Sequence, residues 1–101
     1  MNQEYLNIRG EQYVLEISRY VVYGNTSVVL QSVDPFGGYI KLSSNISAVL
    51  PKGHFAVKTY SENADIWEDA FASGLFEDTG KRVEQGYAVF PIWKLKERRY
   101  D

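Results

Sequence analysis

Between Glu62 and Asp78 the chain carries six carboxylates and no lysine or arginine: Glu62, Asp65, Glu68, Asp69, Glu77 and Asp78, a local charge of −6. Carboxylates spaced along a helix can hold a hard cation or form a docking face for a basic partner. A calcium-hand loop needs oxygen ligands at alternating positions around a glycine, and that spacing is missing. Docking of a protein partner is therefore the chemistry expected of Glu62, Asp65, Glu68 and Asp69, with Tyr60 and the turn at Arg82 beside them. From Lys94 to Arg99 the sign reverses: Lys94, Lys96, Arg98 and Arg99 stand against Glu97, a local charge of +3. The alternative expectation is nucleic-acid binding through these four cations, with Tyr87, Trp93 and Tyr100 as neighbours.

Other reactive groups are sparse. His54 is the only histidine and cysteine is absent, which removes thiolate chemistry and the usual tetrahedral zinc sets. No Gly-x-Ser-x-Gly elbow offers a nucleophile for His54 to activate. Between Gly53 and Phe55 this histidine reads as a partly exposed strand residue. Gly37-Gly38 lacks the Gly-Lys-Ser/Thr pattern of a phosphate cradle, and Thr79-Gly80-Lys81-Arg82 does not open a helix. The expectation is a protein with no catalytic residues, no metal and no cofactor.

These groups need a scaffold, and strand signals dominate its first half. Tyr5, Leu6 and Ile8 form a short run ending at Gly10. Tyr13, Leu15 and Ile17 then alternate with polar positions, and the alternation blurs near Arg19 and Tyr20, where a bulge is expected. Gly24-Asn25 is a turn signal because both residues tolerate positive φ. The run SVVLQSV, the loop Asp34-Pro35-Phe36-Gly37-Gly38 and a strand at Tyr39–Leu42 complete an antiparallel meander of four strands. Over 43–53, Ile46, Val49 and Leu50 have helical spacing, so a single helical turn or an irregular crossing loop both fit. Phe55 and Val57 start a fifth strand.

A helix is expected at about 62–73, capped by Ser61 or Asn63 and stopped by Gly74. Ile66, Trp67, Ala70 and Phe71 form its apolar stripe, with Trp67 and Phe71 as the buried face. Thr79-Gly80 and Gly86 bracket a basic turn. YAVFPIWKL closes the fold as a strand apolar on both faces. Pro91 cannot donate a ladder bond and so marks an edge or a bulge. The predicted architecture is α+β: one domain with a twisted antiparallel sheet of five to six strands and one helix packed on a face.

At 101 residues, 45% hydrophobic and 24% charged, the composition is that of an ordinary globular domain. The N-terminus shows no basic segment followed by an apolar run and no stretch is long enough for a membrane span, so a cytoplasmic protein is expected. Eight tyrosines exceed what a core can satisfy, and exposed ones suit protein contacts. An exposed edge strand would also permit a homodimer as well as a monomer.

The second half of the chain carries Lys58-Thr59-Tyr60-Ser61-Glu62-Asn63, then Gly74-Leu75, Thr79-Gly80-Lys81-Arg82-Val83, Gly86-Tyr87 and Pro91. This pattern resembles a family of small uncharacterised proteins encoded on plasmids, conjugative transposons and phage. Ala64 departs from it, standing where an acidic residue often follows the asparagine. The resemblance implies a non-enzymatic accessory product of a mobile element, such as an anti-defence inhibitor, acting by binding a host or element macromolecule.

Overall fold

In the computed structural model, which describes residues 5–96, the architecture turns on Leu42. Its N–H donates to the Val28 carbonyl at 3.0 Å, and its own carbonyl accepts the Lys58 N–H at 2.8 Å. One residue thus joins two sheets. Before it lie β1 (Tyr5–Ile8), β2 (Glu11–Arg19), β3 (Thr26–Ser32) and β4 (Tyr39–Lys41), an antiparallel meander in the order β1-β2-β3-β4. After it come β5 (Ser43–Ser44), β6 (His54–Val57), β7 (Phe76–Gln85) and β8 (Ala88–Leu95), in the order β5-β6-β8-β7. The expected meander is present. The single sheet of five to six strands is not: a strand that changes sheets at Leu42 makes two sheets of four.

The helix is also shorter than expected. A 3-10 turn at Ser61–Asn63 precedes α1 (Trp67–Ala72), only six residues long, packed against β1 and β7. Neither Ser61 nor Asn63 caps a helix. Ser61 itself has φ 59, and the Asn63 side chain is used elsewhere. Of the stripe, Ile66 and Ala70 are buried and Trp67 is half-buried, while Phe71 is 40% exposed. Both aromatics lean on Trp93, with ring centroids 6.3 and 5.0 Å away. Trp93, buried in the centre, also stacks on Phe76 at 5.6 Å and meets Phe55 edge-on at 6.2 Å. Leu6, Ile8, Val28, Leu30 and Leu42 close this core from the first sheet.

Strand β8 is apolar on both faces, as its sequence indicates, because each face meets a different layer. Trp93 and Leu95 face the main core, whereas Phe90 and Ile92 join Ile46 and Ala56 in a second cluster. The irregular segment 45–53 covers that second cluster. Ile46 is buried, but Val49 is 85% exposed, so the crossing loop prevails over the helical turn. Pro91 sits in a central strand, yet β6 pairs with β8 only from Lys94 to Ile92, so at Pro91 the partner is β7 alone. The bulge lies in β7, between Asp78 and Lys81, while β2 and β3 stay in register through Arg19–Thr26. What reads as a basic turn at Lys81 and Arg82 is strand. Gly86-Tyr87 makes the reversal, with Gly86 at φ 65 as a tight Gly-X hairpin requires.

Candidate functional site

The residues expected to form one acidic docking face take different local partners. Asp69 Oδ2 accepts the Arg9 N–H at 2.8 Å, which ties α1 to the turn between β1 and β2. Arg9 there has φ 53, a left-handed conformation costly for a residue with a Cβ, so the carboxylate helps hold a strained turn. Arg82 pairs with Asp78 at 3.4 Å along β7. Tyr60 stacks obliquely on Phe90 at 6.0 Å, with Lys58 Nζ 5.7 Å from its ring. Asp65 and Glu68 remain as outward, exposed carboxylates of the helix region. The Glu62 side chain lies outside the described residues.

The cations of the C-terminal strand divide similarly. Lys94 meets Glu77 across the ladder at 3.3 Å, and Lys96 is exposed. Arg98 and Arg99 lie outside the described residues. Register adds a neighbour absent from the sequence expectation. His54 pairs with Lys94, and Lys81 with Ile92, so His54, Lys81 and Lys94 share one face of the second sheet. Partial burial pushes the His54 imidazole below its ordinary pKa of 6.5, with Lys94 and then Lys81 adding repulsion. Among the described residues no three histidine, aspartate or glutamate side chains come together as a metal site.

A more organised surface is formed by three loops. The β2–β3 hairpin exposes Val21 completely and Val22 and Tyr23 by more than half. Tyr23 takes φ 73, an outlier for a bulky side chain, and such strain persists only where surrounding contacts over-determine it. Those contacts are visible. Tyr20 N–H donates to the Asn25 carbonyl at 2.9 Å, and the Tyr20 hydroxyl and Ser43 Oγ share a hydrogen bond of 2.8 Å. Asn25, 5% exposed, then reaches into the second loop: its Nδ2 donates to the Ile46 and Ala48 carbonyls at 3.2 and 2.7 Å, and its Oδ1 accepts from Leu50 N–H at 3.0 Å. Gln85 Oε1 ties the third loop, accepting from Ser47 N–H at 2.8 Å and from Ser47 Oγ at 3.2 Å. Val49 and the fully exposed Tyr87 project from the second and third loops.

Two side-chain amides thus fasten three loops into one end, and five apolar side chains stand out from it. Segments 20–25, 45–53 and 85–88 contain no aspartate or glutamate, although the chain has 13 acidic residues. Lys52 is the one charge within them, and Arg19 flanks the hairpin.

The sequence treats Asn25 as half of a turn. The blurred alternation at Arg19–Tyr20 is the visible signal that the strand is ending and the apolar residues beyond it are loop. No helix among the described residues is long and apolar enough to cross a membrane. A scan of protein-family models and searches of curated proteins and solved structures return no match to this chain.

Proposed function

We propose that the protein is a non-enzymatic binding module, an accessory of a mobile genetic element, that recognises a protein partner through its three-loop end. The observation carrying this reading is the set of Val21, Val22, Tyr23, Val49 and Tyr87, exposed on loops that Asn25 and Gln85 tie together. Exposed apolar groups held rigid before binding lose little entropy on docking, and tyrosines are favoured anchors at such contacts. The acid-free loops beside Arg19 and Lys52 suit an apolar partner surface with an acidic rim. Anti-defence inhibition by occlusion of a host protein is the biological form this takes. The test is capture of the partner from host lysate by the wild-type protein, by Val22→Glu with Val49→Glu, and by Glu68→Lys. The loop variant loses the partner and Glu68→Lys keeps it. The reverse pattern would move the docking site to the acidic helix.

A second reading, nucleic-acid binding, draws on the face shared by His54, Lys81 and Lys94, with Lys96 following in the chain. Its signature is a mobility shift of single- or double-stranded DNA or RNA at low salt, abolished by Lys81→Glu with Lys94→Glu and weakening steeply as salt rises.

A further inference from the structure

Strand β7 is the last strand of its sheet, with β8 on one side only. Along β8 the Leu95 N–H donates to the Gly53 carbonyl on the β6 side, and the Lys96 N–H to the Leu75 carbonyl just before β7, both at 3.0 Å. The even-numbered residues of β8 therefore turn their backbone toward β7. Their partners there are Lys81 opposite Ile92, Val83 opposite Phe90 and Gln85 opposite Ala88. Arg82 and Glu84 are left with N–H and C=O groups aimed away from the sheet. Arg82 accordingly lies opposite Pro91, which has no N–H to give. Among the described residues no strand pairs with this outer edge. Upstream, the Gly80 N–H is already held by Asp78 Oδ1 at 2.9 Å, so the open stretch is 81–85.

That stretch reads Lys81-Arg82-Val83-Glu84-Gln85, a sequence complementary to its own reverse. We infer that β7 pairs antiparallel with β7 of a second copy of the chain, about a two-fold axis at Val83. The outward groups of Arg82 and Glu84 allow three antiparallel registers. Two of them set Arg82 against Arg82 or Glu84 against Glu84, and like charges directly opposite destabilise a strand pair. The third sets each Arg82 against the Glu84 of the other copy and Lys81 against Gln85. Each Arg82–Glu84 pair then exchanges two backbone hydrogen bonds, and its opposite charges add to them. Arg82 and Glu84 are both exposed, on the face opposite Val83, and Glu84 has no ion-pair partner among the described residues. Arg82 keeps Asp78 at 3.4 Å in its own chain, and the five N–H donors of a guanidinium leave room for a second carboxylate. Half-buried Val83 packs on the cluster of Phe90 and Ile92 and meets its counterpart at the axis. So small an interface makes a weak, concentration-dependent dimer. Antiparallel pairing directs the two three-loop ends in opposite directions, and the inference does not rest on the docking role proposed for them.

Sedimentation velocity of the full chain from about 10 µM to about 1 mM reads the association. The wild type is expected to move from monomer toward dimer across that range. Arg82→Glu and Glu84→Arg each turn both opposite-charge pairs into like-charge pairs and raise the dimer dissociation constant at least about tenfold. The double exchange, Arg82→Glu with Glu84→Arg, restores association because each pair is inverted and stays opposite in charge. Mixing the two single variants restores it too, as a heterodimer. In the unsubstituted protein, hydrogen exchange at the Arg82 and Glu84 amides slows as concentration rises while exchange at Val83, already in the β8 ladder, does not, which keeps the test decisive should a variant lose stability. A wild type that stays monomeric with unchanged exchange overturns the inference. Loss in the single variants without rescue by the double exchange or the mixture overturns it as well. So does association that the charge variants leave unchanged and Val22→Glu with Val49→Glu abolishes, which would assign self-pairing to the three-loop end.

Discussion

The two ends of β2 hold their loops in place by different means. Glu11 and Arg19 are roughly 27 Å apart at the rise of an extended strand. At the Glu11 end, the tight turn through Arg9 is held by the Asp69 carboxylate, and the helix supplying that carboxylate rests on Trp93. At the Arg19 end, three apolar tips are held by the side-chain amides of Asn25 and Gln85. The charged end spends its most favourably placed carboxylate on internal structure. The apolar end keeps its apolar side chains outside and its amide groups inside, the arrangement that the proposed docking role needs.

Removing the seat of the helix gives the largest effect. Trp93→Ala opens a cavity bounded by Phe55, Phe76, Trp67 and Phe71 and costs about 3–5 kcal/mol, read from the urea midpoint. Trp67→Ala costs less, about 2 kcal/mol, because Trp67 is half-buried. Equal losses would place the weight of the core in the helix and not in β8. At the other end, Asn25→Ala leaves two carbonyls and an N–H without their partner and costs about 3 kcal/mol. It should also speed hydrogen exchange in 45–50 without changing exchange in α1. A uniform loosening of both ends would dissolve the distinction between them.

The meander and the two-faced β8 were legible in the sequence because each rests on local alternation and short turns. The sheet change at Leu42 was not, since it depends on which strands lie beside 39–44, and those come from 26–32 and 54–57. The helix was overestimated for a related reason. Ser61 and Asn63 have the chemistry of caps, but Asn63 satisfies two carbonyls at the sheet change, which a local pattern cannot reveal. Asn25 carries the same lesson. In one dimension Asn25 resembles a turn residue and Asn63 a helix cap, and both act as buried cross-links in three. The acidic run was plain in the sequence, whereas the tie of Asp69 to the Arg9 N–H is a tertiary fact.

Smaller substitutions sharpen the contrast at the charged end. Asp69→Ala removes the acceptor of the Arg9 N–H, leaves an αL arginine without its tie, and costs about 1 kcal/mol. Asp65→Lys and Glu68→Lys change stability by no more than about 0.5 kcal/mol, since exposed groups outside the packing contribute little. Thermal scans of the three variants separate these outcomes. A loss on Glu68→Lys as large as that on Asp69→Ala would show that the outward carboxylates also serve the fold.

The smallest effect concerns His54, on the sheet face it shares with Lys94 and Lys81. Its pKa in the folded chain lies below the 6.5 of an unperturbed histidine. Well above pH 6.5 the ring is neutral in both states and contributes no pH dependence. As pH falls below that value the unfolded chain binds a proton before the folded chain does, so stability declines. The decline is complete once pH passes the folded pKa. His54→Gln removes this dependence, and the stability of the wild type relative to the variant should fall between pH 7 and pH 5. Urea midpoints at the two values measure it. The wild type gaining on the variant as pH falls would mean that Glu77 governs the site, and the cationic character assigned to that face would be wrong.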